Sequence, residues 1–508
     1  MRALVSVSDK TDLEFLGTGL NELGIEIYST GGTKRALEAA GIPVRPVSDL
    51  TGFPEILGGR VKTLHPGVHS GLLARRDLSA DMEELAHHNL VPIDIVAVNL
   101  YPFERAAALE QIDIGGPTML RAAAKNHPSV LPLCDPADYP AALEALKLPD
   151  GPDLAVRRRL AAKVFHHTSV YDSLIAAYLD EGSERWPDEV ALGLRKVQEL
   201  RYGENPQQQA AFYQTVRAGS QSSGLAAARQ HQGKPLSYNN LLDADAAWAA
   251  ASDFGPITVA IIKHTNPCGL ARADDLETAY ELALAGDPLA AFGGIIAANA
   301  PVDGALAQRI IERFYEIVLA PKFSPQALEV LAARPNLRLL ALPPTPASGL
   351  RWRSLQGGML AQEADRTEET EASQARVVTQ RAPSDQQWTA LSFAWRAVRH
   401  VKSNAIVLVR AESTQAEPSL ALVGMGAGQP SRVAAVEIAI QRAGPGAAGA
   451  VLASDAFFPK PDGVEAAAKA GVRAIIQPGG SQGDPETIAA ADAAGVAMVF
   501  TGTRHFRH

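Results

Sequence analysis

A set of short apolar runs constrains this chain more than anything else in it: Ile93–Val98, Ile257–Ile262, Ile295–Ala298, Ala405–Val409 and Ala450–Ala453, with Ala474–Gln477 of the same kind. Each is strand length and apolar on both sides of the strand alternation. Such segments need cover above and below. The stretches between them carry helical spacing, as in Leu13, Leu16, Leu20 and Leu23, with Ser8 or Asp9 available to cap that helix. Strand, turn and helix in alternation predict α/β architecture with parallel sheets, in which ligands sit at the carboxyl ends of the strands. Polar residues recur at those ends, at Ser6, Ser29 and Asn99.

The most pointed case is Lys263-His264, directly after the run Ile257–Ile262 and before Asn266-Pro267 and Gly269. The turn residues predict that the strand stops here. That puts two adjacent cationic groups where a central strand meets its loop, a place that tolerates them when an anionic or polar ligand meets them.

Composition excludes several classes. At 508 residues the chain is too long for one core. A formal net charge of -9 without a long Lys/Arg run argues against nucleic-acid binding. Two cysteines, Cys134 and Cys268, rule out a disulfide framework or a cysteine-rich zinc site. His87-His88 and His166-His167 are adjacent pairs whose side chains diverge on a helix, so no catalytic metal is expected. No apolar segment approaches membrane-spanning length and the N-terminus reads as a strand, so a cytoplasmic enzyme with no membrane partner is expected.

Several segments hold groups suited to anions. Ser29-Thr30-Gly31-Gly32-Thr33 is a small turn opening a helix, whose free N–H groups suit a phosphate. Gly58–Pro66 places Arg60, Lys62 and Thr63 between glycines and a proline. Asn99-Leu100-Tyr101-Pro102 and Ile112–Pro117 follow, the latter opening a helix that runs to Lys125-Asn126. In the second half, Leu200–Pro206 is a polar turn cluster. Gly424–Arg432 is a loop that fails the G-x-G-x-x-G spacing. Residues 341–376 are rich in Pro, Gly and charge, and Glu363–Arg376 reads as exposed. The last residues, Arg504-His505-Phe506-Arg507-His508, are basic and aromatic enough to be expected to dock on a site.

These segments, in this order, closely resemble the bifunctional family of purine biosynthesis that fuses aminoimidazole carboxamide ribonucleotide (AICAR) transformylase to inosine monophosphate (IMP) cyclohydrolase. The resemblance rests on Ser6–Lys10, Ser29–Thr33, Gly58–Pro66, Asn99–Phe103, Gln111–Gly116, Arg201–Pro206, Lys263–Gly269, Gly426–Arg432, Ser454–Pro459 and the tail. It implies a methylglyoxal-synthase-like parallel-sheet domain over residues 1–195, with a helical linker from about residue 154, and a transformylase half over 196–508. The latter would be two cytidine-deaminase-like α/β subdomains meeting at about 341–380. The deaminase zinc set is missing, since Pro267-Cys268 continues as Gly269-Leu270-Ala271.

The implied chemistry is formyl transfer from 10-formyltetrahydrofolate, a co-substrate, to the 5-amino group of AICAR, then dehydrative closure of the formylated product (FAICAR) to IMP. His264 would take the amine proton, Lys263 would stabilise the oxyanion or protonate the leaving nitrogen, and Asn404 would orient the formyl oxygen. Arg201, Tyr202 and Arg504 would hold the nucleotide, with Gly293, Glu316 and Phe457 lining the site. Arg432, Asp462, Gly463, Ser481 and Gln482 would lie toward the folate, Gly463 by its backbone alone. For ring closure, Lys125 would move the proton, Lys62 would support the oxyanion, Asp113 would position the amide, and Tyr101 would join them. Ser8, Lys10, Ser29, Thr30, Gly31, Thr33, Arg60, Thr63, Asn99 and Gly115 would bind substrate. A homodimer is implied. The competing expectation is a regulatory nucleotide-binding module or scaffold retaining only one activity.

Overall fold

The computed structural model describes residues 1–180, 186–217, 223–255, 257–343, 349–366, 369–412 and 418–508. The chain divides into two compact units: Met1–Arg195 with Gln214–Ser222, and Lys196–Tyr213 with Ser223–His508.

In the first unit, β1 (Arg2–Val7), β2 (Glu26–Ser29), β3 (Arg45–Pro46), β4 (Ile95–Asn99) and β5 (Leu131–Leu133) form an all-parallel sheet in the order β3-β2-β1-β4-β5. Both faces are covered, which is why β4 is apolar throughout: Val96 and Val98 pack into one core while Ile95 and Ala97 pack into the other. The strand order reverses between β1 and β4, and the crevice at their carboxyl ends is where such a sheet receives a ligand. The first helix runs Leu13–Glu22 and is not capped by Ser8 or Asp9. Its cap position is Asp12, in the left-handed region at φ 53°. The amides of Ser8 and Asp9 are taken instead by the Asn99 side chain. Of the expected linker, Leu154–Leu179 is one long helix capped by Asp153, and 181–185 lie outside the described residues.

The strands β6 (Leu194–Leu200) and β7 (Ala210–Thr215) pair with each other. The second unit is built on one twelve-stranded sheet. Its first half contains β8 (Arg229–Gln232), β9 (Thr258–Lys263), β10 (Asn266–Arg272), β11 (Ile295–Ala298), β12 (Ile317–Ala320) and β13 (Arg338–Ala341). After a two-stranded hairpin of β14 (Leu350–Leu355) and β15 (Gly358–Glu363), the second half adds β16 (Arg376–Val377), β17 (Ile406–Glu412), β18 (Ser419–Gly426), β19 (Val451–Ser454), β20 (Ala474–Gln477) and β21 (Ala497–Phe500). The order β8-β13-β12-β11-β9-β10 is mirrored as β18-β17-β19-β20-β21-β16, the halves joining where β10 meets β18 antiparallel.

The mirror extends to sequence-local detail. In each half the edge strand is followed by a helix, Tyr238–Ser252 or Asp385–Val398, started by a serine capping box: Ser237 with Asn240, Ser384 with Gln387. Both helices pack on the same face, in a core shared across the halves. The opposite face is covered separately in each half. A repeat related by rotation about an axis normal to the sheet has this form.

Two local expectations change. The strand does not stop at Lys263 to begin a loop; it turns within two residues and returns as β10, with Lys263 facing Asn266 across the hairpin. Pro267 and Gly269 therefore lie in a strand, Gly269 because a Cβ there would come within 2.0 Å of the Ala283 carbonyl oxygen. Glu363–Arg376 is not uniformly exposed either. Glu369–Ser373 is helical and buries Ala372 against the shared core, which Ala375 just after it also joins, while 344–348 and 367–368 lie outside the described residues.

Candidate active sites

In the first unit the crevice residues come from the ends of β1, β2 and β4. Asn99 Oδ1 accepts the amides of Ser8 at 2.6 Å and Asp9 at 2.9 Å, and its Nδ2 donates to Asp9 O at 2.8 Å. Asn99 thus shapes the loop after β1, with its side chain fully engaged. Thr33 is similarly committed, donating to Val7 O at 2.9 Å and accepting from Val7 N and the Lys10 ammonium at 3.1 Å each. Ser29 Oγ is buried and unpartnered among the described residues, and Thr30 Oγ1 lies 3.3 Å from Ser6 Oγ. Gly31, at φ 42°, opens the helix Gly31–Ala39, leaving its first amides facing the crevice. Ser29, Gly31 and Lys62 line one pocket together with Lys34, Ser48 and Phe53, three residues the sequence reading did not single out.

Asp113 sits on the other wall. Its carboxylate accepts Gly116 N at 2.9 Å, and its own amide donates to Tyr171 Oη at 2.7 Å. Burial raises its pKa above the usual carboxylate value, opposed by the Gly116 amide, the Lys62 charge and the Tyr101 amide. Lys62 also bears on Lys10, whose pKa is lowered first by burial. Thr63 is buried against Gly115, where a Cβ would stand 2.6 Å from Thr63 Oγ1. Arg60 is exposed and paired with Glu110 at 3.3 Å. Lys62, Asp113, Tyr101 and Lys10 therefore form one neighbourhood.

Lys125 stands at the end of the helix that follows Asp113. Gly115–Lys125 is one unbroken helix beginning beside Asp113. Ten residues at the helical rise put Lys125 roughly 15 Å along the axis from Gly115, exposed at the far end.

In the second unit the site follows from the repeat. Because β9 is antiparallel to β11 and β17 to β19, one sheet edge collects the end of β9, the starts of β11 and β12, the start of β17 and the end of β19. Lys263, Gly293, Glu316, Asn404 and Phe457 all lie at that edge. Lys263 Nζ donates to Phe292 O at 3.2 Å and Gly293 O at 3.0 Å. Gly293 is at φ 66°, which favours glycine, and a Cβ there would crowd the ammonium at 3.2 Å from Nζ. His264 is exposed and, with Thr265, forms the two-residue turn, both in the left-handed region at φ 52° and 62°. Such turns require positive φ at both positions, which costs non-glycine residues about 1–2 kcal/mol each.

The neighbouring loops are fastened to this turn. Asn266 Oδ1 accepts Lys402 N at 3.1 Å, and Asn404 Nδ2 donates to Gln429 O at 2.7 Å. The tail docks as expected: Ser403 N donates to Arg507 O at 2.9 Å, and His505 N to Asp455 O at 3.1 Å. His505 is buried between the carboxylates of Asp365 and Glu371. Burial pushes its pKa down, but the two carboxylates outweigh it and the net shift is upward. Arg504 stays exposed, its guanidinium 4.5 Å from the Phe506 ring centre. Arg201 stacks on Tyr202, and their loop is tied to the helix Tyr238–Ser252 by Asn239 Nδ2 to Glu204 O at 3.1 Å.

Two carboxylate partners escaped the sequence reading. Glu316 is ion-paired at 2.7 Å with the buried Arg338. Arg432, expected toward the folate, is buried in an ion pair with Asp455, and also reaches Ser454 Oγ at 3.2 Å. These bonds all come from Nη1, and the buried Nε finds no partner among the described residues. Asp462, Ser481 and Gln482 lie beyond the ends of β19 and β20, Asp462 starting a helix and Ser481 Oγ accepting Gly483 N at 3.1 Å. Gly463 is required there, since a Cβ would meet the Phe458 ring at 2.8 Å. Among the described residues, no cluster of three or more His, Cys, Asp or Glu could hold a metal ion, and no helix is long and apolar enough to cross a membrane.

The AICARFT/IMPCHase bienzyme family matches residues 123–442, and the MGS-like domain matches residues 12–124. The chain is 55% identical to the "Bifunctional purine biosynthesis protein PurH" of Chloroflexus aurantiacus, covering 100% of this chain and 99% of that protein. Proteins of the same name from Halalkalibacterium halodurans and Bacillus cereus are each 50% identical, again covering 100% of this chain and 99% of theirs.

Proposed function

Since the chain belongs to the AICARFT/IMPCHase bienzyme family, we propose how its two units divide that family's work. The protein transfers the formyl group of 10-formyltetrahydrofolate to the 5-amino group of AICAR, then closes FAICAR to IMP with loss of water.

Formyl transfer takes place at the collecting edge of the twelve-stranded sheet. The aromatic amine is a weak nucleophile, and His264 removes its proton as it attacks the formyl carbon. Lys263, fixed by two carbonyls with its ammonium at the sheet edge, stabilises the oxyanion that develops, and Asn404 orients the formyl oxygen. Arg201, Tyr202 and Arg504 hold the nucleotide. Glu316 and Phe457 line the site, and Asp462, Ser481, Gln482 and the Gly463 backbone face the folate. The observation that carries this reading is the chain of contacts joining the His264 turn, the 402–404 segment and the docked tail at one edge.

Ring closure takes place at the crevice between β1 and β4. The carboxamide nitrogen attacks the formyl carbon; Asp113 positions the amide, Lys125 moves the proton, Lys62 supports the oxyanion, and Tyr101 and Lys10 complete the wall. Ser29, Thr30 and the amides opening Gly31–Ala39 receive the phosphate. Ser8 and Asn99 shape the loop above it, with Arg60, Thr63 and Gly115 at the rim.

A cytoplasmic homodimer is part of the same reading. Leu289, Phe292 and Phe314 are 82%, 65% and 46% exposed, beside the carbonyls that hold Lys263, and a second copy would cover them. A solution mass measurement tests this; a monomer at micromolar concentration contradicts it. The activity is tested by supplying AICAR and 10-formyltetrahydrofolate and following IMP by absorbance. Asp113→Ala is expected to let FAICAR accumulate while formyl transfer continues; undiminished IMP formation would overturn the assignment of the crevice.

A further inference from the structure

The helix Tyr238–Ser252 reaches the formyl-transfer edge through two polar side chains one turn apart. Asn239 ties down the loop of Arg201 and Tyr202. Asp243 lies under the hairpin turn: its Oδ1 accepts the Thr265 amide at 2.6 Å. The second residue of the turn is thus held by a carboxylate from a separate element.

That arrangement answers a specific difficulty. Two-residue hairpin turns favour Asn-Gly or Asp-Gly because both residues need positive φ. Here the positions are His264 and Thr265, and a β-branched residue at φ 62° is an outlier held only where its surroundings determine it. The hydroxyl of Thr265 is buried and finds no partner among the described residues, so it does not supply the hold. Asp243 does.

We propose that Asp243 is a positioning residue for formyl transfer, which clamps the left-handed His264-Thr265 turn through the Thr265 amide and so fixes the direction in which the His264 ring leaves the sheet edge. The inference rests on the reading of His264 as the base. The carboxylate faces His264 and Lys263, and burial raises its pKa against the opposing Thr265 amide and those two charges. A small error in aim at a reacting atom is worth on the order of a hundredfold in rate.

The test uses the full chain and steady-state formyl transfer, with ring closure of supplied FAICAR measured on each variant as a control in the other unit. His264→Ala is assayed first. If it retains formyl transfer, the underlying reading fails, independently of Asp243. Asp243→Ala is expected to lower kcat for formyl transfer about ten- to a hundredfold with KM for AICAR changed by less than about threefold. Asp243→Asn keeps an oxygen to accept the Thr265 amide and is expected to recover most of that loss. Thr265→Gly in the Asp243→Ala background, which makes positive φ costless, is expected to recover part of it. An Asp243→Ala kcat within about twofold of the parent overturns the proposal, as does an Asp243→Asn variant as slow as Asp243→Ala. Should Asp243→Ala not fold, Asp243→Glu pushes the carboxylate into the turn and is expected to lower kcat at least about tenfold; parental kcat there overturns the proposal equally.

Discussion

The two halves of the twelve-stranded sheet are built alike and used differently, and the contrast is sharpest at Asn299 and Asp455. Each follows the first parallel strand of its half and makes the same backbone exchange with the strand beside it. Asn299 N donates to Thr258 O at 3.1 Å and its Oδ1 accepts Thr258 N at 2.7 Å; Asp455 N donates to Ala405 O at 3.3 Å and its Oδ1 accepts Ala405 N at 3.2 Å. Beyond that they part. The Asn299 amide closes its end of the sheet by donating to Ala251, Phe254 and Gly255 carbonyls at 3.1, 3.2 and 2.9 Å. Asp455 instead pairs with Arg432 and offers its carbonyl to the tail. Rotation about the axis between the halves sends Asn299 to one edge and Asp455 to the other, together with Lys263. One half therefore lends the amino ends of its parallel strands to the site, and the other half lends its carboxyl ends. A rule that places ligands at carboxyl ends sees only half of such a site.

The comparison can be broken at its ends. The largest effect is expected from Asp455→Asn, which keeps the acceptor for Ala405 N but strands the buried Arg432 charge; this costs about 3–5 kcal/mol in urea unfolding of the second unit. Parental stability would mean that the ion pair is not what distinguishes this half. Asn299→Asp removes the donor to three carbonyls while keeping the Thr258 bond, and about 1–3 kcal/mol is expected, without direct damage to the formyl-transfer edge. If its kcat falls as far as that of His264→Ala, the two edges are not separate. Ser237→Ala and Ser384→Ala remove matching capping boxes, and each is expected to lower stability by about 1 kcal/mol. A cost confined to one of them would break the equivalence of the two helices.

The smallest expected effect is on the tail. The pKa of His505 is raised on folding, so its contribution is complete below the ordinary histidine value and is lost as pH rises through the higher folded value. Amide exchange of residues 504–508 is expected to accelerate from pH 6 toward pH 9 beyond the intrinsic base-catalysed rate. Protection that is flat over that range would show that the backbone bonds to Ser403 and Asp455 hold the tail unaided.

What could be read from the residues alone followed from local pattern. The apolar runs became β4, β9, β11, β17, β19 and β20 because doubly covered strands have few other readings. Lys263 and His264 stood out because charge at the end of such a strand is unusual. The rest depended on partners far away in the chain. Asp243, Arg338 and Tyr171 act on residues 22, 22 and 58 positions distant, and nothing in their own neighbourhoods marks them. The hairpin at His264-Thr265 was hidden for a physical reason: neither residue is one that such a turn prefers, and the Asn266, Pro267 and Gly269 signals pointed past it. The pairing of Arg432 with Asp455, 23 positions away, is likewise unmarked in the sequence.

The central claim is that one chain carries two separate reacting centres, with formyl transfer depending on the turn at the end of β9. Its most direct measurement follows both reactions in His264→Ala: formyl transfer from AICAR, and closure of supplied FAICAR to IMP. Formyl transfer is expected to fall by on the order of a thousandfold, as loss of a general base does, while ring closure proceeds at the parental rate. Formyl transfer within tenfold of the parent, or ring closure lost in parallel, would contradict the claim.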